Sequence, residues 1–275
     1  MSIPLDDFLE AVEGPSRHWD LLEISLQLCR AAYPDDDLKG ARRTVDDLGQ
    51  SVLNHPEAGG EAFQKINALN EVIYEDFGLK GDTEDFYNPD NSYLSRVLER
   101  RRGIPISLCV LYRELAERIG LHLDSVAMPA HFLLRHSMPY RNIFLDPFSR
   151  GKILLEDGCR ELLEDLSRNS IDFRSEFLQP ASNRTVVLRM LANLKQIYRQ
   201  GGNRRLLIEV LDRRIPLLDD PSYEVLERGL LYFDLDQYGE ALRDLEGFLR
   251  TSSNEELKRL IEEKLGEVRR LARTH

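Results

Sequence analysis

Residues 91–120 read NSYLSRVLERRRGIPISLCVLYRELAERIG, residues 121–136 LHLDSVAMPAHFLLRH and residues 142–151 NIFLDPFSRG. Asn91 or Ser92 is placed to cap a helix running to about Arg102, where Gly103 stops it. Pro105 suits the first turn of a second helix, where its missing N–H costs nothing, and that helix ends near Gly120. LHLDSVAM, HFLLRH and NIFLDP are short, rich in β-favouring residues and bounded by Pro129, Pro139 and Pro147, so they read as strands. The helix is thus followed by strands that carry His131 and Asp146. A nucleophile at a helix start, an imidazole on the next strand and a carboxylate on the one after is the layout of a thiol-type catalytic site. The helix start here holds no cysteine.

Upstream of this stretch the chain reads as helices. Residues 20–33 place Leu21, Ile24, Leu28 and Ala31 at helical spacing, and Pro34 ends the run. DDDLKGARRTVDDLGQSVLN opens with acids, as suits a helix N-terminus, and runs to about Asn54. After the breaks at His55-Pro56 and Gly59-Gly60, a third helix from about Glu61 to Phe77 carries Phe63, Ile66, Leu69, Ile73 and Phe77 on one face. Gly78, Gly81 and Pro89 mark a loop. This N-terminal helical subdomain shows no chemistry of its own. Downstream, ILLEDGCRELLEDLS returns to helix.

The last third repeats. Tyr198 and Tyr232, Leu207 and Ala241, and Leu211 and Leu245 are each 34 apart. That period in helical sequence marks tetratricopeptide repeats. Gly229, Tyr232, Ala241 and Phe248 occupy the small and aromatic positions of the second unit, and Leu194 and Tyr198 those of the first. A charged helix from about Glu255 to Ala272 would cap the stack.

Composition narrows the classes of function. The 275 residues are 42% hydrophobic and 31% charged, as in globular proteins. No apolar run is long enough to span a bilayer. MSIPLDDFLEAVEG has acids where a signal peptide has bases, so a cytoplasmic location is expected. Cys29, Cys109 and Cys159 are odd in number and far apart, which argues against a disulfide framework or a zinc cluster. No metal-ligand spacing occurs, and neither metal nor cofactor is expected. The net charge is −11, and residues 183–275 are nearly balanced at 17 bases to 16 acids, so the excess acid lies before them. An acidic chain repels phosphate backbones, and nucleic acid is an unexpected partner.

The combination NSYLSRVLERRRGIPISL, LYRELAERIGL, MPAHFLLRH, FLDPF and GK resembles the SirB1 family, a transglutaminase-like domain followed by tetratricopeptide-like helices. The resemblance implies an α+β fold: a papain- or transglutaminase-like core with a small antiparallel sheet, N-terminal helices and C-terminal all-α hairpins. The expected division is a helical subdomain plus transglutaminase-like domain over 1–180, with its core at about 88–180, and a repeat domain over 181–275. In active transglutaminase-like domains the Cys lies about fifteen residues before the Gly that closes its helix. Counting back from Gly120 lands on Pro105. His131 and Asp146 match the family's His and Asp.

Two side chains are candidates for the missing nucleophile. Ser107, in the first turn, lies where free N–H groups could stabilise an oxyanion, or its hydroxyl bonds locally. Cys109 lies about 200° around the helix from Ser107, in a stripe with Tyr112 and Ala116 that looks like packing. Strand alternation puts His131, Leu133 and Arg135 on one face. Asp146, before Pro147, either forms a turn or fixes the His131 tautomer. Arg100, Arg101 and Arg102 read either as a solvated helix end or as an anion-binding lip fit for a carboxylate. Two functions follow. One is a non-catalytic regulatory module, a pseudoenzyme that binds a protein or peptide through its repeats. The alternative is a cysteine- or serine-type hydrolase or acyltransferase using His131 and Asp146.

Overall fold

The computed structural model describes residues 5–272. A short helix, α1 (Leu5–Ala11), precedes α2 (Leu21–Ala32), whose start is set by the Asp20 carboxylate accepting the Glu23 N–H at 3.0 Å. Asp37 does the same for α3 (Leu38–Asn54), accepting from the Gly40 N–H at 2.8 Å. The third expected helix is in two parts. α4 (Ala62–Asn70) passes into a π-helical stretch, Glu71–Asp76. The changed winding buries Val72, Ile73 and Tyr74 together, while Phe63, expected on the same apolar face, is exposed.

Two elements differ from the sequence reading before the central helix. Asn91 and Ser92 belong to a 3₁₀ turn (Pro89–Ser92), and Tyr93 is the N-cap of α5 (Leu94–Arg100). Arg101 turns left-handed (φ 57°), which ends α5 two residues early. Arg102–Gly103 (β2) then pairs in parallel with Lys80–Gly81 (β1), a ladder inside what the sequence reads as loop. Pro105 opens α6 (Pro105–Arg118), as expected.

A four-stranded antiparallel sheet follows in sequential order: β3 (Asp124–Val126), β4 (Leu133–Ser137), β5 (Asn142–Asp146) and β6 (Lys152–Leu154). The chain expected to return directly to helix at Ile153 first makes β6, and α7 (Glu156–Ser167) begins after it. Val126 faces Leu133, Phe144 faces Leu154, and these four pack with Cys159 and Leu163 of α7. α6 lies against β3 and β4 and is buried along most of its length, from Pro105 to Ala116. The α+β core is therefore a small sheet with the central helix α6 and with α7 packed on it.

The chain forms two compact units that divide between Asn193 and Leu194, inside α8 (Asn183–Gln200). The expected division at 180/181 falls ahead of that helix. The second unit continues with α9 (Arg204–Arg214), α10 (Ser222–Asp234), α11 (Tyr238–Thr251) and α12 (Glu255–Leu271). The 34-residue pairs occupy matching helices: Tyr198 and Tyr232 on α8 and α10, the other two pairs on α9 and α11. Ala241, Leu245 and Phe248 pack with Leu226 of α10 and with Ile261, Leu265 and Val268 of α12. Gly229 lets α10 and α11 approach: a Cβ there would lie 3.0 Å from Asp244 Cβ and from Leu245 Cδ2.

Candidate functional site

The Met128 carbonyl accepts the His131 N–H at 3.2 Å and closes the turn Met128-Pro129-Ala130-His131, with Ala130 left-handed at φ 61°. His131 thus sits in a turn two residues ahead of β4, not on the strand. Leu133 and Arg135 do share a strand face, and Arg135 Nη2 pairs with the cross-strand Asp124 at 2.8 Å.

His131 Nε2 lies 3.0 Å from Asp146 Oδ1, with the two side chains 5% and 2% exposed. Asp146 Oδ1 also accepts the Phe148 N–H at 3.1 Å, and Oδ2 accepts the Ser149 hydroxyl at 2.7 Å. Asp146 therefore both caps the 3₁₀ turn Pro147–Ser149 and holds the imidazole. Burial pushes its carboxyl up, but the hydrogen bond and charge of His131 and the bonds from Ser149 outweigh burial and leave it below the usual carboxylate range. An ionised Asp146 only accepts, so Nε2 carries the proton. In the neutral ring the basic lone pair is on Nδ1, which bonds to no described residue.

Neither candidate nucleophile is bonded to this ring. Ser107 Oγ lies 2.7 Å from the Asn91 carbonyl O and 3.0 Å from that of Ile104, and it accepts the Ile104 N–H at 3.1 Å. Its hydroxyl is used up in tying the start of α6 to the preceding 3₁₀ turn, the local bonding that the sequence left open. Cys109 Sγ lies 3.5 Å from the Phe132 carbonyl O and is 1% exposed. Burial, helped by the Asp146 charge, holds this thiol well above its usual range, which favours its neutral form. Pro105, at the position counted back from Gly120, is buried and carries no reactive atom.

The three arginines of the expected anion-binding lip each have a partner. Arg102 Nη1 donates to Glu84 Oε2 at 2.6 Å and lies 3.5 Å from Asp82 Oδ1. Arg100 Nη1 donates to Asn91 Oδ1 at 3.0 Å, and the guanidinium lies 3.6 Å from Asp82 and 3.9 Å from Asp90. Arg101 stacks over Phe77 at 5.0 Å. Arg100 and Arg102 pair with acids of the 82–90 segment and fasten that segment to α5 and β2.

Three residues that the sequence did not single out build the surroundings. Phe148 sets its ring edge-on to His131 at 6.1 Å, and Phe86 packs on Phe148 at 6.1 Å. Tyr74, on the π-helical stretch, donates to the Pro147 carbonyl at 2.9 Å, and no local pattern links residues so far apart in sequence. Gly81 touches Phe148, where an added Cβ would meet the ring at 2.6 Å and the backbone O at 2.7 Å. Gly81→Ala is expected to cost about 1–3 kcal/mol through this overlap, read from urea unfolding. An unchanged midpoint would show that the turn carrying Phe148 yields freely. Among the described residues no group of three or more His, Cys, Asp or Glu is arranged to hold a metal ion, and no helix is long and apolar enough to cross a membrane.

The model of the transglutaminase-like superfamily matches residues 39–192. The chain belongs to that superfamily. A tetratricopeptide repeat model matches residues 194–266. A UPF0162 protein of Xylella fastidiosa is 33% identical over 237 residues, covering 84% of this chain and 83% of that protein. A UPF0162 protein of Vibrio cholerae is 27% identical over 246 residues, covering 88% and 90%. F-box only protein 21 of Homo sapiens is 31% identical over 183 residues, covering 62% of this chain and 28% of that protein. The superfamily match takes in α3 and the π-helical stretch along with the His131–Asp146 pair, so the helices that position Tyr74 belong to the matched region.

Proposed function

We propose that this protein is a non-catalytic, transglutaminase-like regulatory module of the SirB1 type, cytoplasmic, which binds a protein or peptide partner. The observation that carries the reading is the use of both candidate nucleophiles elsewhere: Ser107 bonds to backbone at the start of α6, and Cys109 is a buried neutral thiol. An imidazole held in place by Asp146 with no attacking atom bonded to it suits hydrogen bonding to a ligand rather than acyl transfer. The second unit supports the reading from another side. Tyr223, Leu226, Leu230 and Leu231 of α10 line a groove of about 380 Å³, rimmed by Lys195, Arg199, Glu227 and Asp234. Tyr223 is 59% exposed there. An apolar floor with charged edges suits a partner helix or an extended peptide.

The test is reactivity. The folded protein is treated with a fluorophosphonate and with a peptide-linked thiol electrophile, and adducts are mapped by mass spectrometry. No adduct is expected at Ser107 or Cys109 until the chain is unfolded. An adduct on either residue in the native state, lost in His131→Ala, would establish instead the hydrolase or acyltransferase that uses the His131–Asp146 pair.

A further inference from the structure

Arg100 and Arg102 are paired with acids of a neighbouring segment, whereas Arg189 on α8 is not. Its Nη2 lies 3.5 Å from the Met128 carbonyl O, and among the described residues it has no other polar partner and no carboxylate within ion-pair distance. Burial alone pulls its pKa below the usual guanidinium value, with no acid near enough to offset that. Two other half-buried arginines are handled differently: Arg135 pairs with Asp124, and Arg228 with Asp212 and Asp244. A guanidinium offers five N–H donors in a planar fork that fits a carboxylate in bidentate fashion. Here one donor is weakly engaged and the others meet no protein acceptor.

The position of this cation gives it meaning. The carbonyl it approaches is the one that accepts the His131 N–H. The guanidinium and the imidazole backbone therefore share one acceptor, at a turn that keeps Ala130 in a conformation alanine disfavours. We propose that Arg189 anchors the carboxylate of a ligand that docks at the Met128–His131 turn. This rests on reading His131 as part of a recognition site, and it names the chemistry that the site receives.

Amide shifts of Ala130 and His131 in the full-length, ¹⁵N-labelled protein test the proposal. Three probes are titrated: N-acetylglycylglycine with a free carboxylate, the same dipeptide as its C-terminal amide, and N-acetylglutamate α-amide. The two carboxylates are expected to shift these amides saturably and the neutral dipeptide not at all. The tighter of the two then tells whether a chain terminus or an acidic side chain is the natural source. Arg189→Gln is expected to weaken binding at least tenfold, with Arg189→Lys in between. Equal shifts from the neutral amide, no shift from either carboxylate, or full binding by Arg189→Gln would overturn the proposal. A second readout guards against a purely structural role. Arg189→Met removes an unpaired cation and is expected to leave the thermal midpoint unchanged or higher, whereas a lower midpoint would show that Arg189 serves the fold. Native labelling of Ser107 or Cys109 would overturn the non-catalytic reading and leave carboxylate binding standing, so the two failures are distinguishable.

Discussion

Asp146→Ala is expected to destabilise the transglutaminase-like unit by about 3–5 kcal/mol, the usual loss when one partner of a buried charged pair is removed. Three donors lose their acceptor together: His131 Nε2, the Phe148 N–H and the Ser149 hydroxyl. The site is 2% exposed, so water does not readily replace the carboxylate. Asp146→Asn keeps the volume and an accepting oxygen for Nε2, and about 1–2 kcal/mol is expected for it. The pH dependence follows from the direction of the Asp146 shift. Its folded pKa lies below the unfolded value of about 3.9. Above that value both states are ionised and the contribution is complete. Below it the unfolded chain takes up a proton first, so stability falls as pH drops from about 4 through the folded pKa. Urea unfolding between pH 7 and pH 3 should show the gap between wild type and Asp146→Asn closing over that window. A gap that stays constant to pH 3 would mean that Asp146 is not held as a carboxylate by its partners.

The legible parts of this fold are those whose signal is local or periodic. The 34-residue offset survives in the structure because the same backbone geometry recurs, so Leu211 and Leu245 fill the same place on α9 and α11. His131 and Asp146 are singled out in the sequence by the family resemblance, and Pro129 and Pro147 mark the chain reversals near them. Asp146-Pro-Phe-Ser149 even contains its own capping pattern, which could have identified Ser149. What was not legible depends on distant chain. Local bonding is one of the two sequence readings of Ser107, but its bond to Asn91, sixteen residues earlier, has no local signal. Arg100 to Arg102 read as a solvated helix end or as an anion-binding lip, and the sequence does not show that the 82–90 segment pairs with two of them. The π-helical winding at Glu71–Asp76 leaves no mark in a 3.6-residue apolar pattern, and neither does the exposure of Phe63 in the first turn of α4. For Ser107 and for the three arginines, contacts between residues distant in sequence supply the partners.

Arg228→Ala is expected to cost the repeat unit about 3 kcal/mol, the low end for a broken buried network because the guanidinium is 21% exposed. Arg228 on α10 reaches Asp212 on α9 at 2.6 Å and grips both oxygens of Asp244 on α11 at 2.7 and 2.8 Å. These residues have no counterparts at the 34-residue offset: Leu194, Leu178 and Val210 stand there. The periodic apolar residues build each hairpin; Lys195, Arg199, Arg204 and Arg214 also pair with acids of α10, and Arg228 joins α9, α10 and α11 at once. Burial already lifts the Asp212 carboxyl against the pull of Arg228. Without the cation that pull no longer offsets burial at Asp212, and its folded pKa would lie further above its unfolded one. Protons then bind the native state first, and stability rises as pH falls through the raised value, opposite in sign to Asp146. The Arg228→Ala deficit should therefore shrink on acidification from pH 7 towards pH 4, and adding Asp244→Asn should recover part of it at pH 7. A deficit independent of pH, or no recovery in the double variant, would show that Arg228 acts through the packing of its stem on Tyr232, whose ring lies 5.9 Å from the guanidinium, and not through charge.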